Sequence, residues 1–248
     1  MANSKKIYGL IGKKLNHSFS SAYFANKFEK EAIKDVEYIN FPLANIADIK
    51  ELLEENPNIK GLNVTVPYKQ EIIPFLDELS ADAKVIGAVN TIEFKDGKLI
   101  GHNTDVIGFE QSLKPLLNSR HQKAVIFGIG GASKAVAFVM KKLKIPTRVI
   151  SRDKTKQTYK DVNKAFLRER QILINTTPLG TFPNINECVD IYYHGITAYH
   201  LAYDLVYNPE ESLFLQKAKK QGAVIKNGQQ MLELQAEASW KIWNGLNG

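Results

Sequence analysis

Residues 123–143 constrain the fold more than any other stretch. Lys123–Phe127 is a short apolar strand that runs into Gly128-Ile129-Gly130-Gly131-Ala132, and Ser133–Leu143 follows with a helical pattern. A strand, a glycine-rich turn and a helix in that order open a nucleotide-binding βαβ unit. The first glycine permits a tight turn, and the second lets backbone N–H groups approach a pyrophosphate at the helix N-terminus. Ser133 stands where a third glycine is usual and is small enough for close helix packing. The rhythm continues with strands at Thr147–Ser151, Ile172–Asn175, Ala202–Val206 and Ala223–Ile225. A helix is expected over Val106–Leu117 and a last one over Gln229–Trp243, the latter able to fold back onto the first half of the chain.

The first half has its own alternation. Strands are expected at Ile7–Gly12, Val36–Phe41 and Gly61–Val66, with helical patterns over Ser20–Lys34 and Ile46–Leu53. A hairpin follows: Ala88–Phe94, the turn Asp96-Gly97, then Leu99–His102. The fold class is therefore α/β, in two domains with largely parallel sheets. The run Gly61-Leu-Asn-Val-Thr-Val-Pro-Tyr-Lys69 reads as a buried strand that Pro67 stops, because proline lacks the amide donor. Asn63 and Thr65 share one face of it. Lys69 is delivered to its mouth, where such groups suit a hydroxylated ligand.

The chain has 248 residues, 44% of them apolar, and a net charge of +7. Its lysines are spread rather than blocked together, which favours small anions over nucleic acid as partners. No apolar run is long enough for a membrane span, and the N-terminus lacks the apolar stretch of a signal peptide. The single cysteine, Cys188, forms no internal disulfide and fits a reducing cytoplasm as a structural residue. No metal is expected.

The cofactor type is read at the next strand end. Thr147–Ser151 is followed by Arg152-Asp153-Lys154-Thr155-Lys156. Arg152 can make a forked contact with a 2′-phosphate and Lys156 adds charge, which favours NADP(H) over NAD. Asp153 is the contrary sign, unless it caps the helix that follows.

Further polar clusters lie at His17-Ser18-Phe19-Ser20, Gly87-Ala-Val-Asn90-Thr, Asn103-Thr-Asp105, Tyr203-Asp-Leu-Val-Tyr207-Asn-Pro209 and Gly228-Gln-Gln-Met-Leu-Glu-Leu-Gln235. Each alone has a plain reading as a cap, a turn or a helix start. Together with Asn63-Val-Thr-Val-Pro-Tyr-Lys69 and the glycine-rich turn, in this order, they resemble the shikimate dehydrogenase family over nearly the whole chain. The resemblance implies NADPH-dependent reduction of 3-dehydroshikimate to shikimate, on the route to chorismate and the aromatic amino acids. It implies a substrate domain of residues 1–104 plus 229–248, a Rossmann-like NADP domain of residues 105–228, and a ligand between them. Lys69 and Asp105 would be the catalytic pair. Ser18, Ser20 and Tyr207 would hold the substrate carboxylate, and Thr65, Asn90 and Gln235 the ring hydroxyls. Gly128, Ile129, Gly130, Gly131 and Ala132, with Ser151, Arg152 and Lys156, would hold the dinucleotide, and Leu205 and Gly228 would lie near the nicotinamide. A monomer or a homodimer is compatible with this reading.

The residue types suit that chemistry. Hydride arrival at a carbonyl builds negative charge on oxygen, which an ammonium can stabilise and protonate. Three departures from the family stand out: Ser21 in place of a proline, Ala25-Asn26 in place of His-Asn, and a short connection over 153–171. Ser212 also replaces a threonine. The competing readings are a quinate/shikimate dehydrogenase that uses NAD, and a non-catalytic sensor of a nucleotide and a cyclic acid.

Overall fold

The computed structural model describes residues 5–15, 18–152 and 158–246. The chain divides into two compact units, residues 1–107 with 235–248, and residues 108–234. It passes from one to the other within a helix each time.

The first unit contains β1 (Lys6–Gly12), α1 (Phe19–Lys30), β2 (Val36–Pro42), α2 (Ile49–Glu55), β3 (Ile59–Val64), β4 (Glu78–Leu79), α3 (Ala81–Ile86), β5 (Thr91–Lys95) and β6 (Lys98–His102). Its sheet runs β2-β1-β3-β5-β6-β4. β1 pairs in parallel with β2 and β3, and β4 with β6, whereas β5 runs antiparallel to β3 and β6. Asp96 (φ 50°) and Gly97 (φ 76°) make the hairpin turn, whose left-handed residues match the strand twist. β3 stops at Val64, two residues short of the expected end. The Thr65 amide still donates to Ile11, but the Tyr68 amide then donates back to the Thr65 carbonyl and turns the chain.

One face of this sheet buries Ile11, Leu62, Val64, Ile72 and Ile92. The other buries Tyr8, Phe24, Phe28 and Ala236, with Trp240 and Trp243 packed against them. Gly61 is required beneath Trp243: a Cβ there would lie 2.4 Å from the indole. The indole N–H donates to the Ile92 carbonyl at 3.0 Å.

α4 (Asp105–Leu113) leads into the second unit, which holds β7 (Ala124–Phe127), α5 (Gly131–Lys142), β8 (Thr147–Ile150), α6 (Lys164–Arg168), β9 (Ile172–Asn175), β10 (Leu201–Asp204), α7 (Leu213–Lys220) and β11 (Val224–Lys226). α8 (Gln229–Trp243) returns the chain to the first unit. The strands of the second unit are all parallel, in the order β11-β10-β9-β7-β8. Every residue of β7, β9 and β10 is buried, as expected for strands covered on both faces. Counted within the unit, the order is 2-1-3-4-5, and the order reverses between β7 and β9. The described part of the short connection, 158–171, holds α6 and a single 3₁₀ turn but no strand, so β8 stands at the sheet edge with Arg148 and Val149 exposed.

The helices follow their capping residues. Ser80 and Ser212 accept from the amides of Ala83 and Leu215 to start α3 and α7. Gly87, at φ 66°, ends α3. α5 buries Ala135, Val136, Val139 and Met140, a stripe with helical spacing. Lys142, at its end, pairs with Glu110 at 2.7 Å. α3, α6 and β4 carry too few residues to declare themselves by periodicity.

Candidate active site

The chemistry-bearing groups fall into two sets, one in each unit. In the first unit, Pro67 and the turn after β3 bring Lys69 beside the first residue of α4. Lys69 Nζ donates to Asp105 Oδ2 at 2.6 Å, and the two side chains are only 16% and 7% exposed. Asp105 sits at a helix N-terminus, where the aligned peptide dipoles favour a carboxylate. Its other oxygen, Oδ1, accepts from Asn90 Nδ2 at 2.9 Å. Asn90 is itself held by the Thr104 amide, which donates to Asn90 Oδ1 at 2.7 Å. Asn90 Nδ2 also reaches Gln235 Oε1 at 3.3 Å. The expected Lys69, Asp105, Asn90 and Gln235 are therefore one connected cluster.

Beneath it lies a buried polar network that the sequence did not announce. Register places Asn63 opposite Thr91. Asn63 Nδ2 reaches Thr91 Oγ1 at 3.2 Å and Ser239 Oγ at 3.0 Å, and Tyr38 donates to Asn63 Oδ1 at 2.8 Å. Thr91 in turn donates to Asn90 Oδ1 at 3.1 Å. A continuous chain of hydrogen bonds therefore runs from Tyr38 through Asn63, Thr91 and Asn90 to Asp105. Such a network fixes rotamers because each buried group would lose a partner if one moved. Burial raises the Tyr38 hydroxyl above its ordinary value, against the smaller opposing effect of Ser20. Thr65 is half-buried with its methyl against Gly12. Ser18 caps α1, accepting from the Ser21 amide at 3.4 Å. Ser21, the departure from the family pattern, donates to Asn40 Oδ1 at 2.6 Å.

In the second unit the glycine-rich turn sits at the carboxyl end of β7, next to the reversal of strand order, where open α/β sheets bind their ligands. Gly128 has φ 114°, and a Cβ there would lie 2.6 Å from Thr176 Oγ1. Ser133 donates to the Gly128 carbonyl at 2.7 Å, so it locks the turn as well as filling the third glycine's place. Gly130 caps α5, and its missing Cβ faces open space within 4 Å. Ile129 is exposed, while Gly131 and Ala132 form the half-buried first turn of α5. This cradle of backbone amides fits a dinucleotide pyrophosphate. Ser151 is buried at the end of β8 and Arg152 is exposed just after it. Lys156 lies outside the described residues.

Leu205 and Gly228 meet: a Cβ on Gly228 would lie 2.1 Å from the Leu205 carbonyl oxygen. Tyr207 is half-buried on the same loop, and burial raises its hydroxyl above the ordinary value. The loop rests on Asp204, which is fully buried. Asn175 and the Val206 amide donate to Asp204 Oδ1 at 2.9 and 3.0 Å, and Ser212 donates to Oδ2. Burial pushes the Asp204 carboxyl up to about 7, against the three hydrogen bonds that favour its charged form. In the sequence Asp204 belongs to the Tyr203–Pro209 cluster, whereas the only signal for Asn175 was that it ends an apolar strand. Among the described residues, no cluster of three His, Cys, Asp or Glu side chains could hold a metal.

Residues 10–92 match the family model described as the shikimate dehydrogenase substrate binding domain. A shikimate dehydrogenase (NADP(+)) from Caldicellulosiruptor bescii is 36% identical over 260 residues, covering 96% of this chain and 89% of that protein. A solved shikimate dehydrogenase in complex with NADP+ superposes with a TM-score of 0.85 at 34% identity, covering 97% of this chain and 90% of the other. The Thermus thermophilus shikimate 5-dehydrogenase, solved with NADP(H) and shikimate, also gives 0.85, at 28% identity over 96% of this chain and 93% of its own.

Proposed function

We infer that this chain, which belongs to the shikimate dehydrogenase family, is an NADP-dependent oxidoreductase that interconverts 3-dehydroshikimate and shikimate, in the biosynthesis of chorismate and the aromatic amino acids. The observation that carries the reading is the Lys69–Asp105 pair at 2.6 Å, gripped from behind by Asn90. The first unit is the substrate half and the second the cofactor half.

The nicotinamide, when bound, supplies or accepts the hydride. The chain's residues do the rest. Lys69 Nζ stabilises the oxygen charge that develops as the carbonyl is reduced and gives that oxygen its proton. Asp105 orients the ammonium, and Asn90 orients Asp105. Hydroxyl and amide groups from Ser18, Ser20, Thr65, Asn90, Tyr207 and Gln235 both donate and accept, which matches a ring carrying hydroxyls and a carboxylate. Gly128 to Ala132 cradle the pyrophosphate, and Ser151, Arg152 and Lys156 take the adenosine end, with the 2′-phosphate on Arg152. Leu205 and Gly228 flank the nicotinamide. A cytoplasmic location suits a chain whose one cysteine, Cys188, is free; no described helix is long and apolar enough to cross a membrane.

The deciding measurement is formation of reduced nicotinamide, by absorbance, with shikimate and quinate each offered NADP and NAD. Turnover with shikimate and NADP well above the other three pairs is expected. Faster turnover of quinate with NAD would overturn the assignment, as would binding of both ligands without turnover.

A further inference from the structure

A cavity lies in the same unit as the glycine-rich turn, but at the amino ends of the strands, opposite that turn. Arg120, Gln171 and His200 line it from just before β7, β9 and β10, and Lys164 and Arg168 come from α6. Its volume is about 540 Å³, well within the range of pockets that hold small ligands.

Its charge is one-sided. Arg120, Lys164 and Arg168 line it, and no carboxylate does. Among the described residues none of the three has an ion-pair partner. The neighbouring acid, Glu169, lies instead against Arg170 and Lys123, at 3.4 and 3.9 Å. Three unpaired cations around one concavity raise the local concentration of anions. The walls give the ligand a body as well as a charge. Tyr199 is 59% exposed, and the Arg120 guanidinium stands over its ring at 4.8 Å, leaving an aromatic surface beside a forked donor. The polar atoms of His200 are occupied within the protein: Nδ1 accepts from the Thr197 amide at 3.0 Å and Nε2 lies 3.0 Å from the Leu167 carbonyl. His200 therefore supplies wall, not recognition. Gln171 keeps a buried amide oxygen with no donor among the described residues, while its amide nitrogen donates to the Arg168 carbonyl at 3.0 Å.

We propose that this cavity binds a small organic acid, a carboxylate or phosphate carried on a flat apolar body. The acid group meets Arg120, Lys164 and Arg168, and the flat body lies against Tyr199. Arginine forks suit planar carboxylates and phosphates alike, so the head group is left to the experiment.

The test uses the full chain saturated with NADPH, which fills the anion site at the glycine-rich turn. Calorimetric titrations are run with benzoate, phenyl phosphate, inorganic phosphate and the neutral benzyl alcohol. Binding of benzoate or phenyl phosphate is expected, the tighter of the two naming the head group, with little heat from the other two probes. Arg120→Ala with Arg168→Ala should weaken it by about tenfold or more, and the exposed Lys164→Glu should do the same without touching the core. Shikimate turnover should be unchanged in each. The proposal fails if neither aromatic acid binds at millimolar concentration, if inorganic phosphate or benzyl alcohol binds as tightly as they do, or if the variants bind as well as the parent protein.

Discussion

Replacing Asp204 with asparagine should make this protein more stable at neutral pH, by an amount that depends on pH in a defined way. Asp204 is fully buried, and burial raises its carboxyl from 3.8 to about 7. Between those values the folded chain holds a proton that the unfolded chain has released. The group's favourable contribution is thus complete below about pH 4, falls as pH rises through the window, and levels off above about pH 7. At 1.36 kcal/mol per decade, the whole loss is about 4 kcal/mol. Asparagine carries no such proton. It can also keep the contacts, since its oxygen can accept from Asn175 and the Val206 amide while its amide donates to Ser212, the three partners present now. The stability difference between variant and parent, from urea unfolding followed by circular dichroism, should grow by about 2.5 kcal/mol between about pH 5 and about pH 8. A difference that stays flat across that range would refute the reasoning, because it would mean that Asp204 ionises in the folded protein as it does in the unfolded one.

Lys69→Ala should lower kcat by roughly 10²–10⁴-fold while NADPH binding, followed by nicotinamide fluorescence, is retained; turnover close to the parent's would remove Lys69 from the chemistry. Arg152→Ala should raise KM for NADPH by about tenfold or more and leave KM for NADH nearly unchanged; equal effects on both would contradict the 2′-phosphate contact. Gly228→Ala should lower the melting temperature and weaken NADPH binding together, since the new methyl would overlap the Leu205 carbonyl; unchanged melting and affinity would show that this loop yields freely. Asn90→Ala should cost about 1–3 kcal/mol of stability and lower kcat, because Asp105 and Thr104 both lose a buried partner; a loss of stability with kcat intact would make Asn90 structural only.

Much of this architecture can be read from local signals. The Gly128–Ala132 turn announces itself because it needs a left-handed residue at Gly128, no side chain at Gly130, and an apolar strand before it. The Asp96-Gly97 hairpin and the bounds of α8 are legible for the same reason: a turn residue or a capping group marks each end. The Lys69–Asp105 pair was reachable by resemblance, since the two lie thirty-six positions apart and no periodicity joins them. The rest depends on sheet register. Asn63 meets Thr91 and Ser239, and Asn175 meets Asp204, only after strands distant in sequence are laid side by side. Read along the chain, Ser239 is merely a polar residue on a helix, although it sits at the centre of the network under the site. The short β4 and α6 escape notice because two and five residues hold no measurable period.

The division of α8 between the units has a consequence for synthesis. The second unit is one unbroken segment, residues 108–234, whereas the first takes its closing piece from residues 235–248. Domains acquire their structure as units while the chain emerges. The half made first is therefore the half completed last: until Ala236, Trp240 and Trp243 leave the ribosome, the aromatic face formed by Tyr8, Phe24 and Phe28 stays uncovered. A stop codon before Ala236 would leave the second unit finished and the first with its aromatic face open, and such truncated chains should be found with chaperones rather than free in solution.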